Sequence, residues 1–192
     1  MWDPLAIREF SALLRDPVFR GRGVPPGDGR PVLLVPGFLA GDWTMRVLDG
    51  WLRRIGYRSH LSGIFLNIHH SERMLSGLRR KVVEVEKETR ARLTLIGHSH
   101  THHAVGMVRT ANELAYGRRL NAEGRFTYDL KLTPIVPTTS IYTRADDVVN
   151  FRSCLRPDIP AMQVWGSHNG LVVNPEVYRI VGRLLARPPR PA

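Results

Sequence analysis

Cysteine is almost absent from the chain. Cys154 stands alone, so no intramolecular disulfide can form and a reducing compartment is allowed. Lysine is nearly as scarce. Only Lys81, Lys87 and Lys131 occur, so 25 of the 28 basic residues are arginine, and the formal net charge of +11 belongs to them. They are scattered as singles and as pairs such as Arg53-Arg54, Arg79-Arg80 and Arg118-Arg119. No basic block with interleaved aromatics is present, and no nucleic-acid motif, so no specific nucleic-acid partner is expected. The charge reads as a solvated arginine-rich surface that leaves room only for weak, salt-sensitive binding to polyanions. No apolar stretch has the length of a membrane span. Met1-Trp2-Asp3-Pro4 lacks the basic-then-apolar order of a secretory signal, so a cytoplasmic location is expected. No repeat, low-complexity tract or linker divides the chain. Residues 1–192 read as a single domain, long enough to bury a core, with an ordinary hydrophobic share of 43%.

What is present alternates. Asp3-Pro4 begins a helix with Ile7, Phe10 and Leu14 at helical spacing, and Asp16-Pro17 stops it. Val32-Leu33-Leu34-Val35 is a continuous apolar run, as expected of a strand covered on both faces. From about Asp42 a helix carries Val47, Leu48, Trp51, Leu52 and Ile55 on one stripe, and Gly56 can end it. A short strand fits Tyr57 to Leu61. A helix follows over 71–89, with Met74, Leu78, Val82 and Val85 on its buried side. Leu93 to Ile96 is a third strand. After it a helix carries Ala104, Val108, Ala111 and Ala115, and residues 126–132 alternate like a half-exposed strand. Thr138 to Thr143 and Met162 to Trp165 read as two further strands. Asn174-Pro175-Glu176 opens the last helix, which Val177, Ile180, Val181, Leu184 and Leu185 continue. Strands alternating with helices predict an α/β fold, a mainly parallel sheet with helices on both faces.

The chemistry centres on Leu93-Thr94-Leu95-Ile96-Gly97-His98-Ser99-His100-Thr101-His102-His103. The order is strand, sharp turn, helix, which lifts a serine hydroxyl off the carboxyl end of a strand. Asp146 and His168 fall at equivalent places after later strands, where ligands bind in open parallel sheets. Serine needs a base to take its proton, histidine can supply one, and an aspartate can fix the histidine tautomer. Asp147 is a neighbour that could serve in place of Asp146. The backbone N–H groups of Phe38 and His100 are candidates for an oxyanion hole. Trp43 and Trp165 read as packing residues.

These segments resemble the α/β-hydrolase family, in particular its small esterase- and lipase-like members. The matching residues are 32–38, 95–99, Ile141-Tyr142-Thr143-Arg144-Ala145-Asp146 and Gly166-Ser167-His168, and similar ordering covers most of the chain except about 105–136. The resemblance implies a minimal hydrolase-like domain without a large cap. It implies cofactor-free hydrolysis of a small-molecule ester, with Ser99 as nucleophile, Asp146 as acid, His168 as base, and Phe38 and His100 as oxyanion donors. Two departures stand out. Thr101 replaces the usual second glycine of the elbow, where a branched side chain crowds the helix-to-strand contact. The segment before the acid strand is short, and only 126–132 can supply the strand the family has there. A second reading takes the cluster from His98 to His103, which looks like the His-x-His-x-Asp-His zinc motif of metallo-β-lactamase-fold hydrolases with His102 at the aspartate position. A third is a hydrolase-like fold used only for binding.

Overall fold

The computed structural model describes residues 4–37, 39–67, 72–98 and 137–187. Its centre is β1 (Pro31–Val35), buried at all five positions. Successive side chains of a strand point to opposite faces. Val32 and Leu34 therefore enter one apolar cluster, while Leu33 and Val35 enter another. β2 (Arg58–Leu61) and β3 (Thr94–Gly97) pair with β1 on its two sides, both parallel, in the order β2-β1-β3. The register sets Leu34 opposite Leu61 on one side and Ile96 on the other. A second parallel pair joins β4 (Ser140–Tyr142) to β5 (Ala161–Gln163).

Helices cover both faces of the three-stranded sheet. The larger cluster holds Leu13 of α1 (Pro4–Arg15), Leu48, Trp51 and Leu52 of α2 (Arg46–Arg54), and Val177, Tyr178, Ile180, Val181 and Leu185 of α4 (Pro175–Leu185). The smaller one holds Leu78 of α3 (Glu72–Thr89), with Val82 packed against it. The stripes expected on α2 and α4 are the ones buried. Gly56 follows α2 at φ 103°, the left-handed region that glycine occupies freely. Asn174 caps α4, its side-chain oxygen accepting from the N–H groups of Glu176 and Val177.

Some expectations are corrected. On α1 the buried line is Ala6 and Leu13 with Phe10 half-buried, while Ile7 and Leu14 are exposed. Each lies one residue, about 100° of helix, past the buried line. The stretch from Asp42 opens as a 3-10 turn, Asp42–Met45, before α2 begins. The last two strands are shorter than read, and β5 is exposed along its length. Val164 beyond it is buried and Trp165 is exposed. The helix expected after the elbow and the strand at 126–132 lie outside the described residues. Among the described residues no helix is long and apolar enough to cross a membrane.

Trp51 ties this core together. It is fully buried, its ring centroid is 4.7 Å from that of Tyr178, and its indole N–H donates to the Val18 carbonyl at 2.7 Å. Trp51→Ala is expected to lose about 3–5 kcal/mol in urea unfolding. Trp51→Phe should lose less, since it keeps most of the apolar volume and the Val18 carbonyl still accepts from the Gly21 N–H at 2.8 Å.

Candidate functional site

Parallel strands deliver the loops that follow them to one edge. The chain leaving β4 turns at Asp146. One of its carboxylate oxygens accepts from the backbone N–H groups of Val148 at 2.9 Å and Val149 at 2.6 Å. These bonds fix the side chain locally, as aspartate does in turns. The other oxygen lies 2.8 Å from Nδ1 of His168. Both side chains are nearly closed to solvent, 7% exposed for His168 and 8% for Asp146. Asp147 is exposed and Asp146 is the residue on the histidine, so the geometry separates the two neighbours.

His168 follows β5 in the loop Gly166-Ser167-His168-Asn169-Gly170 and opens the 3-10 turn Asn169–Val173. Side chains to which the sequence gives no role in the site hold this loop. Thr143, buried at the end of β4, donates its hydroxyl to the Gly166 carbonyl at 2.8 Å and accepts from the Ala145 N–H at 3.2 Å. Glu9 of α1 accepts from the Ser167 N–H at 3.1 Å and from its hydroxyl at 2.8 Å. Asn174, besides capping α4, donates to the Trp165 carbonyl at 2.6 Å and to Glu9 at 3.2 Å. A polar residue one helical turn from an apolar stripe is the sort of signal that could have pointed to Glu9. Nothing local marks it as belonging to a loop 158 residues away.

His98 leaves β3 with its N–H still bonded to the Val35 carbonyl at 3.2 Å. Its Nε2 lies 2.9 Å from the His168 carbonyl oxygen, and the two imidazole rings sit 4.8 Å apart, tilted by 42°. A carbonyl only accepts, so Nε2 of His98 carries the hydrogen. Burial is the main reason that the His98 pKa is pushed down to about 4, and the neighbouring His168 adds to it. The bond to the His168 carbonyl and the charge of Asp146 pull the other way without overcoming them. His98 is thus a neutral donor at ordinary pH. This contact joins the carboxyl end of β3 to the loop after β5, and so links the two sheets at one edge.

The loop after β1 is held with similar care. Asn67, buried after β2, donates its side-chain amide to the Pro36 carbonyl at 3.1 Å. Its backbone N–H donates to the Ala40 carbonyl and its carbonyl accepts from the Leu39 N–H, both at 2.7 Å. Leu39 adopts φ 58°, a left-handed conformation that costs a bulky residue free energy and is kept only where surroundings impose it. The exposed apolar side chains Leu39, Trp43, Phe65 and Leu66 stand on these two loops. Trp43 and Trp165, read as packing residues, are 49% and 77% exposed, because the short turn and the strand end that carry them face solvent.

Ser99, Phe38 and His100 lie outside the described residues, as do Thr101 and the histidines at 102 and 103. Of the expected site residues, the structure therefore brings together Asp146 and His168, with His98 against them. Of the histidine cluster only His98 is described, and its Nε2 is spent on a carbonyl. Among the described residues no group of three or more metal-ligating side chains is assembled. The Asp146–His168 pair can do one thing well. With Nδ1–H held by the carboxylate, Nε2 is left as the basic nitrogen, and an imidazolium formed there faces a negative charge. No family model and no curated protein matches the chain.

His98 makes the site sensitive to acid. Its folded pKa lies below the ordinary 6.5, so the unfolded chain binds the proton more readily. Stability present above pH 6.5 is therefore lost as pH falls toward about 4, by at most roughly 3 kcal/mol. His98→Gln keeps a side-chain N–H donor and removes the titration. Thermal melts between pH 7 and 4 are expected to show a smaller acid loss for His98→Gln than for the wild type.

Proposed function

We propose that the protein is a serine hydrolase acting on small-molecule carboxylic esters, with Ser99 as nucleophile, His168 as general base and Asp146 as its orienting acid. The observation that carries this reading is the buried His168–Asp146 hydrogen bond of 2.8 Å with His98 docked on His168. Ser99 is the next residue after His98 in the chain. The chain order serine, aspartate, histidine and the strand-then-turn setting before Ser99 support the same assignment.

In this mechanism Nε2 of His168 takes the Ser99 hydroxyl proton as the oxygen attacks the ester carbonyl. Asp146 stays ionised and holds the imidazolium that forms. The oxyanion is received by the backbone N–H groups of Phe38 and His100. His168 returns the proton to the leaving alcohol. Water then repeats the sequence on the acyl-enzyme. The residues of this mechanism need no cofactor.

Hydrolysis of p-nitrophenyl esters tests it. Ser99→Ala should lower kcat by about 10⁴-fold or more, and Asp146→Asn by about 10³–10⁴-fold, because the amide presents the wrong partner to Nδ1–H. Asp147→Asn should leave the rate within about twofold, since its side chain faces solvent. EDTA should not change the rate. Inhibition by EDTA that zinc reverses would favour the histidine-cluster reading instead.

A further inference from the structure

The loop that carries His168 wraps a carboxylate that the proposed mechanism does not use. Glu9 projects from α1 into the bend Gly166–Gly170. Its Oε2 accepts from the Ser167 N–H at 3.1 Å and from the Ser167 hydroxyl at 2.8 Å, and its Oε1 accepts from Ser167 N–H at 3.3 Å and Asn174 Nδ2 at 3.2 Å. The donors are amides and a hydroxyl, not cations. Ser167 Oγ in turn accepts from the Gly170 N–H at 3.1 Å, which closes the bend on itself. The two glycines bracket the carboxylate. A Cβ on either Gly166 or Gly170 would overlap the Glu9 oxygens. The bend is therefore shaped to a carboxylate, and His168 sits at its middle.

We propose that Glu9 is a positioning residue of the site, holding the 166–170 loop so that the His168 ring keeps its bond to Asp146. The inference rests on the serine-hydrolase reading for its effect on rate, though the grip on the loop is independent of it. Two neutral donors from Ser167 and one from Asn174 point at acceptor-only oxygens. An amide at position 9 would match one side of that cradle and turn a donor toward donors on the other. The second anchor, Asn174, also binds the end of β5 and caps α4. Release of Glu9 therefore frees one side of the loop while α4 and Thr143 still hold the fold around it. A general base displaced by a fraction of an ångström loses rate more than binding, because the substrate does not contact Glu9.

The test compares wild type, Glu9→Gln, Glu9→Ala and Gly170→Ala in the full chain. Readouts are kcat and KM on p-nitrophenyl esters, and the low-field proton signal of the His168 Nδ1–H bonded to Asp146. Glu9→Ala is expected to lower kcat by ~10- to 100-fold with KM within about twofold, and to weaken or erase the low-field signal. Glu9→Gln should fall between Glu9→Ala and wild type. Gly170→Ala, which displaces the same carboxylate from the other side, should reproduce the loss, and the double variant Glu9→Ala/Gly170→Ala should be no worse than Glu9→Ala alone. If Glu9→Ala does not fold, Glu9→Gln and Gly170→Ala decide. A wild-type kcat and an unchanged low-field signal in the folded variants would overturn the proposal. If wild type turns over no ester, the hydrolase reading falls. The low-field signal in Glu9→Ala against wild type then still decides the hold on His168, its loss supporting the proposal and its persistence overturning it.

Discussion

Parallel pairing of β2 and β3 with β1 sends three loops off one edge of the sheet, and the site depends on that constraint. β1 can sit at the centre because all five of its residues are buried, with helices against both faces. A strand so placed has its backbone bonds satisfied by neighbours on each side, and its carboxyl end points wherever theirs do. The second pair, β4 and β5, delivers Asp146 and His168 in the same manner. The hydrogen bond from His98 to the His168 carbonyl then brings the two edges together.

Around that meeting point the side chains that hold the acid and the histidine loop have partners of matching sense. Asp146 spends one oxygen on two backbone N–H groups and keeps the other for His168. Thr143, Glu9 and Asn174 hold the backbone of the histidine loop, and Asn67 holds the loop after β1. Buried polar groups cost free energy unless paired, so such a network is retained where orientation matters. Leu39, next in sequence to the expected oxyanion donor Phe38, is held in a left-handed conformation. Together these features give the proposed triad a rigid acid and base, and the neutral state of His98 keeps a second positive charge away from His168.

Much of the scaffold was legible in the sequence because it follows from periodicity. The apolar run at 32–35 announces a two-faced strand, and the stripes of α2 and α4 announce their buried sides. Asn174-Pro175-Glu176 announces the cap that Asn174 makes. The placement of Asp146 and His168 after strands was legible for the same reason. What escaped depends on contacts distant in sequence. The stripe of α1 was misjudged because Ala6, too small to count as a core anchor, is what lets the helix approach closely, so the buried line runs through it and Leu13. Trp43 and Trp165 were misjudged because aromatic size suggests burial, whereas their exposure is set by where a short turn and a strand end face. Glu9 and Thr143 look ordinary in sequence and acquire a role only when the histidine loop folds against them.

In the proposed mechanism His168, oriented by Asp146, activates Ser99. Fluorophosphonate labelling followed by peptide identification tests it most directly, because the reagent traps a serine only where a base and oxyanion donors are assembled around it. Covalent modification of the wild type at Ser99, and none in a folded His168→Ala variant, is the predicted result. A folded wild-type protein that takes up no label, or takes it up at a residue other than Ser99, would rule that mechanism out.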